Sequence, residues 1–216
     1  MLNYDLICYM ILGNMIVYFL IHIPIDIITI IRKKERIKTE APEYPAWKKN
    51  DFAKISTLIS SFLFWLFFTL WPLLHLLAID SFILFFNFVV PYIGTTLQII
   101  GLILVNLGTI IACFGRISRG LMAISWGVPK QLTTKLAFRV VRHPLYSSYC
   151  LFFLGFPLAM MNYLFLPLFF GILGYYLTAK YEEEILIKEF GEEYMEYQRK
   201  VGMLLPFIGR RKNNTE

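Results

Sequence analysis

Charge is scarce in this chain of 216 residues. Only 17% of positions are Asp, Glu, Lys or Arg, against about 25% in an ordinary soluble domain. The 57% of positions that are apolar exceed what one soluble core can hide, so a water-borne globular enzyme is excluded and disorder with it. Cysteine is also sparse. Cys8, Cys113 and Cys150 are three, an odd number, and all sit in apolar runs. They read as small buried hydrophobes and exclude a disulfide framework. The three histidines, His22, His75 and His143, include no pair at short ligand spacing. That excludes the many-histidine di-iron oxygenases and desaturases, and the expectation is that no metal is bound. No two glycines are separated by a single residue, so there is no GxGxxG fingerprint, and no phosphate loop occurs either. Neither a G-x-S-x-G elbow nor a Cys–His arrangement offers a covalent nucleophile.

What the chain has instead is long apolar runs. A helical span needs about 20 mostly apolar residues. Leu6–Ile31, Ile55–Leu77, Leu97–Phe114 (from about Gly94), Tyr146–Met161 and Leu164–Lys180 qualify as five. Met1–Asp5 carries an acid and no base, so the first run reads as a span and not as a removed signal peptide. Met161-Asn162-Tyr163 is all that joins the last two, which predicts a tight antiparallel hairpin. A sixth run, Phe82–Tyr92, is too short to cross alone.

The net charge of +6 is read as loop bias, with no nucleic-acid partner. Residues 32–54 hold eight basic and four acidic side chains, and residues 116–142 hold six basic residues and no acid. Both segments are expected on the cytoplasmic side. An even number of crossings must then separate them, so Phe82–Tyr92 is expected to be re-entrant or interfacial. The fold class is all-α: a polytopic membrane protein with about five transmembrane helices and a C-terminal hairpin. A cytoplasmic amphipathic tail helix completes it, with the N-terminus outside and the C-terminus inside. Residues 1–95 read as N-terminal membrane-anchor helices, 96–208 as the functional region and 209–216 as a basic, polar tail. Within the third span Gly94, Gly101, Gly108 and Gly115 recur every seven residues, a smooth stripe for helix packing.

Two features carry chemistry. Arg142-His143-Pro144-Leu145-Tyr146 stands where the basic segment enters the fourth span, with Pro144 suited to the first helical turn. Arg142 and His143 thereby lie beside a positive helix N-terminus that attracts carboxylates. Beyond the fifth span, Glu183, Leu186, Phe190, Tyr194 and Tyr197 fall on one helical face, while Glu184, Lys188 and Glu192 look toward water. Glu183 is thus an acid on an apolar stripe, and burial requires a cationic partner: Arg142, His143, Lys180 or a ligand. His22 and Asp26, four apart at the inner end of the first span, are membrane ionisables that suit a structural pair as well as a functional one. Arg210-Arg211-Lys212 suits contact with anionic headgroups. Asn213-Asn214-Thr215 fits a glycosylation sequon on the side where it would be inert.

Taken in order, Arg142-His143-Pro144-x-Tyr146, the Asn162 turn, Glu182-Glu183-x-x-Leu186, Phe190-Gly191-Glu192-Glu193-Tyr194-x-x-Tyr197 and the closing Val201…Pro206-Phe207-Ile208 resemble the isoprenylcysteine carboxyl methyltransferases and their prokaryotic relatives. Phospholipid N-methyltransferases share parts of this pattern. The match covers about residues 130 to 208.

The resemblance implies an S-adenosylmethionine-dependent methyltransferase of the membrane, with a lipid-like or prenylated acceptor entering from the bilayer. It implies a cofactor pocket lined by Arg142, His143, Pro144, Tyr146 and Glu183, with Arg142, His143 and Glu183 as the catalytic set. Leu136-Ala137-Phe138-Arg139 stands where relatives often carry Gly-Pro-Tyr-Arg, and Thr178 where they usually carry Arg. Phospholipid N-methylation is the first alternative. A dinucleotide-dependent lipid double-bond reductase is more distant, since such reductases tend to show Arg-His-x-Asn-Tyr. A non-enzymatic membrane protein is the remaining class.

Overall fold

The apolar runs fold as helices because a bilayer supplies no partner for an open backbone N–H or C=O, and a helix satisfies them all internally. The computed structural model describes residues 1–36, 51–119 and 132–210, and every regular element in them is helical. These are α1 (Tyr4–Arg36), α2 (Asp51–Trp65), α3 (Trp71–Leu76), α4 (Ser81–Leu84), α5 (Gly94–Arg119), α6 (Pro144–Met160), α7 (Phe169–Phe190) and α8 (Glu192–Lys200). α2 and α3 form one rod through a π-turn at Leu66–Leu70. Pro72, two residues past Leu70, lacks the N–H that the Phe68 carbonyl would take, so the widened turn sits where the helical ladder is interrupted.

The protein is an all-α polytopic membrane protein. Among the described residues four helical stretches are long and apolar enough to cross a bilayer: Tyr4–Ile31, Asp51–Leu76, Gly94–Arg119 and Tyr163–Phe190. α6 is shorter, 17 residues, or about 26 Å of rise. It lies inside the bundle, its Phe152, Phe153 and Phe156 buried against Phe64 and Phe68 of the rod. Large apolar side chains such as Leu20, Ile30, Phe62, Ile110 and Phe170 stand exposed around the outside, as lipid contact requires.

The glycine stripe is the seat of α6. A Cβ on Gly101 would be driven into the backbone nitrogen of Ala159; one on Gly108 would lie 3.0 Å from Phe152, and one on Gly115 would lie 3.2 Å from Pro144. α5 and α6 form the most extensive helix pair, followed by α2 with α7 and α1 with α5. Packing therefore does not divide at residue 95: one core joins Ile7, Ile11 and Phe64 to Leu102, Phe156 and Phe165.

Phe82–Tyr92 stays at one end of the bundle. Beyond the short α4 it runs beside the α6–α7 turn, where Phe88 N donates to Met161 O (2.9 Å) and Tyr163 N to Phe86 O (3.1 Å). Asn162, fully buried, ties both strands of chain: Nδ2 donates to Ile83 O (2.9 Å) and Asn87 Oδ1 (2.6 Å), while Oδ1 accepts from Leu164 N (3.0 Å). Phe85, Val89 and Tyr92 project outward, in the manner of interfacial anchors. The two ends of α5 mark the two ends of the bundle: Gly94 lies by Met161, Gly115 by Pro144.

Two expectations change. His22 and Asp26 do not pair. His22 stacks on Tyr18 (3.6 Å between centroids) with Nδ1 2.9 Å from Tyr18 O, while Asp26 reaches across to Arg116 of α5. Pro24 notwithstanding, α1 continues as helix, and the neighbouring helix supplies a full charge that a histidine four residues away does not. The face running from Glu183 to Tyr197 is likewise no single helix: Gly191, at φ +54 and ψ −127, ends α7 and starts α8. Leu186, Tyr194, Tyr197 and Val201 still meet in one small core, because the break folds α8 back under α7. Much of both basic segments, the Arg211-Lys212 pair and the sequon lie outside the described residues.

Candidate functional site

Pro144 occupies the first turn of α6, with His143 as its N-cap residue. Just ahead, the chain pairs with the C-terminal segment: Val141 bridges Gly202 in parallel, Arg142 N donates to Gly202 O (2.9 Å) and His143 N to Met203 O (3.2 Å). Ser147 Oγ adds a bond to Leu204 O (2.7 Å). A side chain at Gly202 would collide with the Leu205 carbonyl, so glycine is the residue that permits this return of the chain.

The Arg142 side chain is 4% exposed as a residue and spends every N–H it has. Nε donates to Glu183 Oε1 (2.5 Å) and Nη2 to Glu183 Oε2 (3.1 Å) and Gly209 O (3.0 Å). Nη1 donates to Gln198 O (3.2 Å) and Val201 O. A guanidinium has five donors, and all five are met by this chain. The bidentate pair is the geometry in which a buried Arg–carboxylate contact best offsets its desolvation. Gln198 Nε2 adds a third donor to Glu183, at 3.0 Å from Oε2. Glu183 thus has Arg142 as its main partner, one of the four cations its position called for, and Gln198 as a second that the helical pattern did not signal.

His143 lies between two carboxylates. Nδ1 is 3.4 Å from Glu182 Oε2, and Nε2 is 3.3 Å from Glu183 Oε1 without the alignment of a hydrogen bond. Burial by itself would lower its pKa; the Glu182 and Glu183 carboxylates outweigh that and push it up to about 9. The Tyr146 ring lies parallel to the imidazole, centroids 5.5 Å apart, and Glu182 also meets Tyr146. Counting Arg142, His143, Glu182 and Glu183, the cluster is neutral with His143 protonated and carries one negative charge without that proton. All five residues expected at the site, Arg142, His143, Pro144, Tyr146 and Glu183, are therefore brought to one end of the bundle. Lys180 is exposed on α7.

A family model described as phospholipid methyltransferase matches residues 92–193. The chain is similar to a probable protein-S-isoprenylcysteine O-methyltransferase of Oryza sativa subsp. indica, 33% identical over 121 residues, 55% of this chain and 62% of that protein. It is also similar to the protein-S-isoprenylcysteine O-methyltransferase of Saccharomyces cerevisiae, 38% over 69 residues (31% of this chain, 29% of the yeast protein). A methanethiol S-methyltransferase of Pseudomonas deceptionensis is 35% identical over 77 residues, 36% of this chain and 29% of that one. These matches show a resemblance to the isoprenylcysteine-type and related membrane methyltransferases over part of the chain.

The matched stretch spans less than two thirds of the length of these similar proteins. Within 92–193 fall the whole Arg142–Glu183 pair and His143, whereas Gln198 and the Val201 and Gly209 carbonyls that complete the Arg142 shell lie beyond it. Where relatives of this family usually carry an Arg, Thr178 is buried against α2: its hydroxyl donates to Gly174 O (2.9 Å) and lies 3.3 Å from Thr57 Oγ1. It faces the helix interface, one and a half turns from Glu183.

Proposed function

We propose that the chain transfers a methyl group from S-adenosylmethionine to a lipid-like acceptor, with the Arg142 end of the bundle facing the cytoplasm. The observation that carries this reading is His143: a buried imidazole whose Nε2 has no hydrogen bond among the described residues, held between Glu182 and Glu183. The cofactor has a sulfonium, an ammonium and one carboxylate, a net charge of +1. A cluster that becomes singly negative on losing one proton suits it, and the buried Nε2, close to Glu183 Oε1 but without an aligned hydrogen bond, is the polar group a ligand would satisfy. When bound, S-adenosylmethionine supplies the electrophilic methyl group.

The residues divide the work. Arg142 is a positioning residue: its donors hold Glu183 and the 198–209 segment against the start of α6. Glu183 and Glu182 set the local potential and face the cofactor's positive groups. His143 presents Nε2 to the ligand, and Tyr146 and Pro144 form the apolar wall beside it. A carboxylate acceptor needs no base, and alignment of the acceptor oxygen supplies the acceleration. For an amine acceptor, His143 is the base within reach once its proton is lost. The prenylcysteine carboxylate is the leading acceptor, because two of the relatives named above carry that substrate in their names.

Equilibrium binding of labelled S-adenosylmethionine to the detergent-solubilised chain tests this. Binding is expected for the wild type and loss of at least tenfold in affinity for His143→Ala and Glu183→Gln, with unchanged helical circular dichroism. No binding by the wild type overturns the reading. Label transfer to a prenylcysteine analogue, and not to phosphatidylethanolamine, distinguishes carboxyl from amine methylation.

A further inference from the structure

At the end of the bundle away from Arg142, three side chains from distant parts of the sequence converge. Cys8 of α1, His75 of α3 and Asp80 in the following turn bring their ligand atoms within 4.8 Å of one another. Cys8 and Asp80 are buried (1% and 6% exposed), and the His75 side chain is 11% exposed. The turn is shaped to do this: Ala78 adopts a left-handed φ of +56, and Ala78 N and Ile79 N bond back to His75 O (3.0 Å) and Leu74 O (3.1 Å). That reversal returns Asp80 to His75, whose Nδ1 lies 2.9 Å from Asp80 Oδ2.

A supporting shell surrounds the three. Tyr4 Oη donates to Asp80 Oδ2 (2.7 Å) and accepts from Trp71 Nε1 (3.0 Å), which fixes the carboxylate. Asp5 Oδ1 stands 3.6 Å from His75 Nε2, on the opposite edge of the ring from Asp80. Tyr4 and Tyr9 pack edge-on against the imidazole, at 5.3 and 5.4 Å. We infer that Cys8, His75 and Asp80 form a binding site for a borderline-soft divalent cation of the zinc class, independent of the proposed methyl-transfer site.

The donor set is the argument. Thiolate, imidazole and carboxylate together are the zinc set. Bonds of about 2.0–2.3 Å in a tetrahedral shell put ligand atoms about 3.3–3.6 Å apart, so small side-chain shifts inside the observed spread suffice. An imidazole whose second nitrogen faces a carboxylate is the arrangement that orients a ligating histidine, and Asp5 occupies that place. Binding takes the proton from the Cys8 thiol and releases it to water, and a water completes the shell. The site escaped sequence analysis because its members are 67 and 5 positions apart, with no short-spacing motif; only packing of α1 beside α3 unites them.

The test uses the full chain in detergent, stripped with chelator and titrated with Co(II). One equivalent is expected to bind with a thiolate-to-cobalt charge-transfer band and the intense d–d bands of tetrahedral geometry. Cys8→Ser should abolish the charge-transfer band, and His75→Gln should weaken binding at least tenfold. His143→Gln at the other end should change neither spectrum nor stoichiometry. Zinc should raise the melting temperature of the wild type and not of Cys8→Ser. Absence of saturable binding by the wild type, octahedral spectra only, or a charge-transfer band that survives Cys8→Ser overturns the site. So does equal loss of binding in His143→Gln, and all these outcomes are read without S-adenosylmethionine.

Discussion

The two ends of this bundle hold their polar groups in opposite ways. At the Arg142 end, full charges are buried and cancelled: one guanidinium, one imidazole and two carboxylates, closed by three backbone carbonyls and Gln198. At the Cys8 end the groups are fewer and linked in a chain of single hydrogen bonds, Trp71 to Tyr4 to Asp80 to His75. The first end is a clamp whose members cannot be removed singly, because each deletion strands a charge in low dielectric. The second is a shell linked through Asp80, in which deleting Tyr4 or His75 removes a single hydrogen bond to the carboxylate and leaves it its other partner. The first ties the 198–209 segment to the start of α6, and the second is where the proposed cation would bind.

Four measurements break or sharpen this contrast, all by thermal unfolding in detergent. Arg142→Ala is expected to be the most damaging, at about 3–5 kcal/mol, since it leaves Glu183 buried without its charge partner; melting within a degree of wild type would show that the clamp does not hold the 198–209 segment. Gly101→Ala lies between the ends, against the Ala159 backbone, and should destabilise by about 1–3 kcal/mol through overpacking. Asp80→Asn should lose about 1–2 kcal/mol, a hydrogen-bond-sized effect, and a loss as large as that of Arg142→Ala would erase the distinction between the ends. Glu196→Gln on α8 removes an exposed i,i+4 pair with Lys200 and should leave the melting temperature where it is.

A pH scan separates the ends further. The His143 pKa is raised from 6.5 to about 9 in the folded chain, so its stabilisation is fully present below about 6.5 and is lost as pH rises through about 9. Wild-type melting should fall across that window and His143→Gln should flatten the decline. A slope that persists unchanged in His143→Gln assigns it to some other group.

Much of this architecture was legible because its causes are local. Apolar run lengths mark the helices, and the seven-residue glycine spacing marks the α5 face that receives α6. Pro144 marks a helix start, and Glu183 stands out as an acid among apolar neighbours. The His22–Asp26 pairing failed for the complementary reason: Arg116, far along the chain, competes for Asp26 and wins with a full charge. Gly191 was visible as a residue, but its role as a break that folds α8 under α7 depends on the core formed by Leu186, Tyr194 and Tyr197.

Sequence alone determined that this is a helical membrane protein, which faces of its helices must be covered, and which residues at the start of α6 and the end of α7 belong together. The tertiary structure decided who satisfies whom: that Arg142 is consumed by Glu183 and three carbonyls, and that Cys8, His75 and Asp80 share one corner. Helix formation and burial are dictated by each residue's own backbone and side chain. Partner choice is settled only when segments 40 to 70 positions apart are brought within hydrogen-bond reach, and no local pattern encodes that distance.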